Sequence, residues 1–319
     1  MDSGLEAWKK FNKIEDEIVE DTNASEKDFT KRYTWGTRKL DTNFAIIKRT
    51  DLIVFGAKRG VGKTIYAFDM ATKNAMLGHK ILFISLEMTA EEIRNDIARK
   101  YAGWTIQEEY DYNIPEFKKQ SYERRLQEIF EIKNLYFEGM RRGADVKWDN
   151  ILGIIGKYKD LDLIFIDNLD KIGCEKYENN LDKQKRIIDN MMGFTADKQI
   201  PIVLIHHHRK NTTGKDYGMD ELSGSGKIAD GADRVLKIIH DPKPDTPYPE
   251  KFKTDIFLQK ARGYAPSIQT VYFIRGTFVD TPPTEEEYRS TVSLIPMTIG
   301  EYELSVSRDE ELPPPSFDL

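Results

Sequence analysis

The chain opens on a helical stripe: Leu5, Trp8, Phe11, Ile14 and Ile18 recur at spacings of three and four with acids opposite, which predicts an amphipathic helix over 3–20. Asp21 to Thr30 is polar and reads as a linker. The rhythm then changes. Leu52 to Phe55, Ile81 to Leu86, Leu161 to Ile166 and Pro201 to Ile205 are short, nearly continuous apolar runs, the signature of strands buried on both faces. Helical patterns separate them: one from Lys63 onward, one from Thr89 to Tyr101 that starts on a Thr89/Glu92 capping box, a polar and aromatic stretch over 104–133 broken at Pro115, then Trp148 to Lys159 and Lys183 to Met192. Leu135-Tyr136-Phe137 is a further short strand, and Trp35 to Asp41 reads as a loop. This alternation predicts an α/β fold with a mostly parallel, doubly wound sheet. Past residue 250 the segments Thr254–Leu258 and Thr270–Ile274 alternate apolar with polar positions, predicting antiparallel strands that extend the sheet on its C-terminal side. No internal repeat is present. The expected organisation is a helical arm and linker over 1–30, a core over 31–300 and an acidic, disordered tail over 301–319 that carries Pro313-Pro314-Pro315.

Composition narrows this picture without redirecting it. A chain of 319 residues with 39% hydrophobic positions can bury a substantial core. No apolar run approaches the roughly twenty residues of a membrane span, and the first residues lack the basic and apolar regions of a secretory signal, so no membrane partner is expected. The single cysteine, Cys174, excludes a disulfide framework and fits a reducing cytoplasm. The net charge of −6 at first argues against nucleic acid. Its distribution argues differently: residues 1–30 and residues 301–319 each carry −5, which leaves +4 for the body between them.

The chemistry starts where the first buried run gives way to Ala57-Lys58-Arg59-Gly60-Val61-Gly62-Lys63-Thr64 and a helix. Strand, glycine-rich turn, Gly-Lys-Thr and helix make a phosphate-binding P-loop. Gly60 and Gly62 let backbone N–H groups face a polyphosphate, and the helix directs its positive N-terminus to the same place. Lys63 suits the β- and γ-phosphates of ATP, and the Thr64 hydroxyl suits Mg²⁺. The pattern departs from the usual one at Ala57, which stands where a first glycine is normal and requires a negative φ there. In a doubly wound sheet, ligands sit at the carboxyl ends of the strands. Asp167 ends one buried run as a Mg²⁺-associated acid should. Glu87, at the end of another, is placed to polarise an attacking water. His207, at the end of a third, is placed to contact the γ-phosphate. The run His206-His207-His208 does not make a metal site, because successive strand side chains point to opposite faces.

These segments resemble the DnaB-type replicative helicases. Ala57 to Thr64, Ser85-Leu86-Glu87-Met88, Ile164-Phe165-Ile166-Asp167, and Leu222-Ser223-Gly224-Ser225-Gly226-Lys227-Ile228 followed by Ala232-Asp233 match that family's motifs in order, over about residues 35–280. Ser-Leu-Glu-Met is the most specific of them. A histidine at 207, where cellular members usually carry glutamine, looks more like the phage and mitochondrial primase-helicases. The resemblance implies a RecA-like ATPase forming a ring, usually a hexamer, with ATP and Mg²⁺ between subunits, in the cytoplasm of a bacterial or phage-infected cell. It implies that Glu87 is the catalytic glutamate and Asp167 the Mg²⁺-associated acid. Lys260-Ala261-Arg262-Gly263 looks like the segment whose arginine reaches the next subunit's γ-phosphate. The family's DNA-contacting loops fall on 171–185 and 209–227, the second offering Arg209, Lys210, Lys215, Gly224, Ser225, Gly226 and Lys227 to the phosphates of single-stranded DNA.

Only about thirty residues precede the core, so neither the family's amino-terminal collar nor a primase is expected, and the 3–20 helix is a candidate subunit-linking arm. The tail, with Phe317 near its end, resembles partner-docking tails that recruit a polymerase or a single-strand-binding protein. Two other activities fit the same residues: a RecA-like recombination ATPase, and a nucleotide-switched DNA-binding scaffold or loader that does not unwind.

Overall fold

The structure, a computed structural model, describes residues 32–57, 60–140, 146–173, 180–207, 226–240, 243 and 245–290. The expected 3–20 helix and the acidic tail lie outside the described residues. Nine strands form one sheet: β1 Leu52–Ala57, β2 Ile81–Ser85, β3 Leu135–Gly139, β4 Leu163–Asp167, β5 Ile202–His207, β6 Arg234–Ile239, β7 Lys253–Ala261, β8 Ser267–Ile274 and β9 Thr277–Val279. Their spatial order is β3-β2-β4-β5-β1-β6-β7-β8-β9. Every pairing from β3 to β6 is parallel, and β6 to β9 pair antiparallel. The helices are α1 Arg38–Asn43, α2 Lys63–Met76, α3 Ala90–Ala102, α4 Ile106–Tyr110, α5 Glu116–Glu131, α6 Trp148–Ile155, α7 Asn180–Lys198, α8 Gly226–Gly231 and α9 Glu285–Ser290.

The continuous apolar runs are explained by burial on both faces. Along β1, Ile53, Phe55 and Ala57 enter one core with Ile65 and Phe68 of α2, while Leu52 and Val54 enter another with Ile151 of α6 and Ile188 of α7. Period-2 alternation thus feeds two cores at once, and no polar face remains to show in the sequence. The predicted capping box is present: Thr89 Oγ1 accepts from Glu92 N at 3.2 Å, and Glu92 Oε2 accepts from Thr89 N at 2.7 Å.

Three local expectations are corrected. Residues 38–41, read as part of a loop, belong to α1, because Thr37 caps the turn through Leu40 N. The helix expected to run from Trp148 to Lys159 ends at Ile155, and the one expected over Lys183–Met192 extends over Asn180–Lys198. The largest omission is β6, which lies beside β1. Its sequence, Arg-Val-Leu-Lys-Ile-Ile, hides a central strand behind two bases. Arg234 is nonetheless buried, with Nε 2.5 Å from Asp51 Oδ2 and a further hydrogen bond to the Ile46 carbonyl.

Candidate active site

Strand order decides what comes together. The neighbouring strands β2, β4, β5 and β1 all deliver their carboxyl ends to the same edge, so residues far apart in sequence share it. At that edge β1 stops at Ala57, which is not among the positive-φ residues, as the P-loop pattern required. Lys58 and Arg59 lie outside the described residues. Gly60 and Gly62 adopt φ of +83° and +94°, a region that costs any side-chain-bearing residue. Gly62 is also the N-cap of α2, so the turn and the helix start share one residue.

Lys63, the first residue of α2, is buried and donates through Nζ to the Ala57 carbonyl at 3.0 Å. Thr64 Oγ1 donates to Asp167 Oδ2 at 2.6 Å, joining two segments 103 residues apart. Asp167 is buried, and its other oxygen, Oδ1, has no hydrogen-bond partner among the described residues. Burial raises the pKa of this carboxyl to about 6, reinforced by the charge of Glu87 and opposed by the Thr64 hydroxyl and by Lys63.

Glu87 lies just beyond β2. Leu86 N donates to the Asp167 carbonyl at 2.5 Å, and Ser85 Oγ accepts from Met88 N at 3.0 Å, which turns the chain at the strand end. The Glu87 carboxylate is partly exposed and lies 3.6 Å from Lys171 Nζ. Ser85 is buried and shapes this turn, a role that its place inside Ser-Leu-Glu-Met did not reveal. His207 pairs in register with Ala57, which puts it level with the end of the P-loop strand. His206, one residue earlier, is buried with Nδ1 3.6 Å from Asp170 Oδ1. Among the described residues no group of three or more His, Cys, Asp or Glu could hold a metal ion.

A hydroxyl and a carboxylate with an unpartnered buried oxygen make a hard-oxygen donor pair, which fits Mg²⁺ held jointly with substrate phosphates and water. Among the residues singled out in the sequence, Ala57, Gly60, Gly62, Lys63, Thr64, Glu87, Asp167 and His207 share this edge.

Lys260 and Arg262 do not. The register sets Ala261 opposite Arg234 and Arg234 beside Ile53, at the far end of β1. A strand rises about 3.3 Å per residue, so this end lies roughly 17 Å along β1 from the P-loop. There Arg262 Nε lies 3.2 Å from Asp233 Oδ1, and Lys260 Nζ donates to the Asp230 carbonyl at 2.9 Å. Burial, then the charge of Arg262, lowers the Lys260 pKa. Arg209, Lys210, Lys215, Gly224 and Ser225 lie outside the described residues; Gly226 and Lys227 open α8.

Comparisons with known proteins agree with this architecture. A family model described as the DnaB-like helicase C terminal domain matches residues 34–277. A protein of Chlamydia trachomatis serovar L2, named probable plasmid replicative DNA helicase, is 25% identical over 228 residues, covering 67% of this chain and 48% of its own length. A protein of the same name from Chlamydia psittaci is 25% identical over 224 residues, covering 66% and 46%. The chain therefore spans about half the length of these relatives. Among solved structures, one described as an ATPase domain matches with a TM-score of 0.68 over 85% of this chain and 98% of its own, at 15% identity. A DnaB-like replicative helicase, described with its interactions with primase, matches with a TM-score of 0.67 over 84% of this chain and 67% of its own, at 16% identity. Both structural matches are likenesses of fold.

Proposed function

The chain belongs to the DnaB-like helicase C-terminal domain family, and from that premise we propose that it is the ATP-driven motor of a replicative DNA helicase, acting as a ring of identical subunits on single-stranded DNA. The observation that carries this reading is the 2.6 Å contact between Thr64 and Asp167, beside buried Lys63, with Asp167 Oδ1 left unpartnered. It joins the P-loop to the acid on β4, as ATP hydrolysis requires.

In this reading Lys63 and the P-loop from Ala57 to Thr64, Lys58, Arg59 and Val61 included, bind the triphosphate. Thr64 and Asp167 would hold Mg²⁺, which supplies charge neutralisation at the phosphates when bound. Glu87 orients the attacking water and accepts its proton, with the Lys171 ammonium 3.6 Å from its carboxylate. His207 senses the γ-phosphate from the strand between the P-loop and Asp167. Arg262, with Lys260 beside it, serves the site of the next subunit. Its position at the opposite end of β1 supports this, since Arg262 cannot serve its own subunit's P-loop from there. Such an arginine is worth about 10³–10⁵-fold in turnover, so hydrolysis depends on assembly.

Arg209, Lys210, Lys215 and Lys227, among Gly224, Ser225 and Gly226, grip DNA phosphates in the ring's channel. Residues 1–30 link subunits, 31–300 form the motor, and 301–319 dock a polymerase or single-strand-binding protein. The ring is a hexamer working in the cytoplasm; among the described residues no helix is long and apolar enough to cross a membrane.

The test is ATPase rate per subunit against protein concentration, with and without single-stranded DNA, alongside mass by light scattering and unwinding of a forked duplex. A rate that rises with assembly and with DNA, together with unwinding, supports the motor. A concentration-independent monomer indifferent to DNA overturns it. An assembling, DNA-stimulated ATPase that fails to unwind leaves the non-unwinding scaffold.

A further inference from the structure

Resting on the reading of Arg262 as the arginine that serves the neighbouring subunit, we propose that Asp233 is its positioning residue and ties it to the P-loop strand. Asp233 sits where α8 meets β6, and all its polar groups are engaged. Its backbone N–H donates to the Leu52 carbonyl at 2.9 Å, and its Oδ2 accepts from Leu52 N at 2.9 Å. The Asp233 carbonyl accepts from Arg262 N at 3.2 Å, and Oδ1 lies 3.2 Å from Arg262 Nε. One carboxylate therefore grips the first residue of β1 with one oxygen and the guanidinium with the other. The Asp233 side chain is 17% exposed, whereas Arg262 is 57% exposed.

Three physical consequences follow. Asp233 is fixed before it meets Arg262, because Leu52 holds it on both sides of the residue. It meets the guanidinium at Nε, which leaves the two terminal nitrogens of this 57% exposed side chain for a phosphate of an adjoining subunit. The far end of the strand it holds is the P-loop itself, so the arm that acts on a neighbour's nucleotide is braced on the strand that carries this subunit's own. α8 also brings the end of the candidate DNA loop to the same joint, since Ala232 N donates to the Ile228 carbonyl at 3.1 Å just before Asp233.

The test uses mixed rings of the full chain. Asp233→Asn is expected to lower kcat by roughly 10- to 100-fold, the size of effect that a misplacement of about 1 Å produces, with little change in KM for ATP. Mixed with Glu87→Gln subunits it should regain activity, because its intact Glu87 meets their correctly held Arg262. Mixed with Arg262→Ala subunits it should regain none, because both lesions fall on the same side of the interface. A merely structural Asp233 predicts no selective rescue by Glu87→Gln, and that result overturns the proposal. If Asp233→Asn does not fold, Arg262→Lys in the unaltered Asp233 background tests the same idea. A lone ammonium cannot be held from one side and offer a fork on the other, so Arg262→Lys should be as inactive as Arg262→Ala; a third or more of normal kcat would overturn the proposal. The reading underneath is checked separately by mixing Arg262→Ala with Glu87→Gln: absence of rescue there overturns the shared site itself, whatever Asp233 does.

Discussion

Asp167, the buried acid of the candidate site, is ionised at a cost to stability. Its folded pKa near 6 exceeds the ordinary 3.8, so between these values the folded chain binds more protons than the unfolded one. Stability contributed at this residue therefore falls as pH rises from about 4 to 6, and above 6 the full cost of a buried charge is present. Asp167→Asn keeps an acceptor for Thr64 and removes the charge. It is expected to stabilise the protein at pH 8 by about 1–3 kcal/mol in denaturant unfolding without nucleotide, with the gain vanishing near pH 4, and to abolish turnover. At the same scale, Lys63→Ala should weaken ATP binding roughly 10- to 100-fold, as loss of a charge-assisted hydrogen bond to phosphate implies. Glu87→Gln should leave equilibrium ATP binding intact and slow hydrolysis by about 10²–10⁴-fold. Binding by fluorescent nucleotide titration and phosphate release read the two apart.

At the scale of elements, two glycines give opposite predictions. Gly139 ends β3 against the start of α3, and a Cβ there would lie 2.3 Å from Ala90 N and 2.6 Å from Thr89 Cα. Backbone cannot yield as a side chain can, so Gly139→Ala should cost about 1–3 kcal/mol and push α3, and with it the turn carrying Glu87, away from the sheet. Gly153 sits on the exposed face of α6 with nothing within 4 Å of the same added atom. Gly153→Ala should stabilise by about 0.5–1 kcal/mol through helix propensity alone. Thermal unfolding of the two variants checks both signs, and a fall in kcat for Gly139→Ala alone would tie the β3–α3 contact to Glu87.

For the whole molecule, the placement of charge bears on the proposed DNA binding more than its net value does. With acid concentrated in the two ends, a mildly basic body can still bind DNA, and such binding should weaken with salt. Single-strand affinity falls with log salt at a slope of about −0.7 per phosphate contact, so four bases in the 209–227 loop imply roughly −3 per subunit. Replacing Lys210 and Lys215 by alanine should reduce that slope by about 1.4 while leaving the DNA-independent ATPase rate unchanged. Affinity measured between 50 and 200 mM salt decides it; an unchanged slope removes the loop from the DNA path.

The sequence by itself determined the elements whose local signals agree with their burial. The continuous runs of β1, β2, β4 and β5 face two cores, the Thr89–Glu92 box caps α3, and the glycines of the P-loop occur where positive φ is needed. It also made the candidate chemistry legible, because Gly-Lys-Thr and an acid at the end of a buried run constrain what they can bind. Only the tertiary structure decided what required a distant partner. β6 is a central strand because Asp51, a residue 183 positions away, accepts the charge of buried Arg234. Asp167 meets Thr64 because the strand order puts β4, β5 and β1 side by side. Arg262 lies at the end of the sheet remote from Lys63 because β7 runs antiparallel to β6, a matter of chain direction that no local pattern records. Side-chain periodicity is written within a few residues, whereas strand order and the neutralisation of buried charge are long-range and become legible only when the chain has closed on itself.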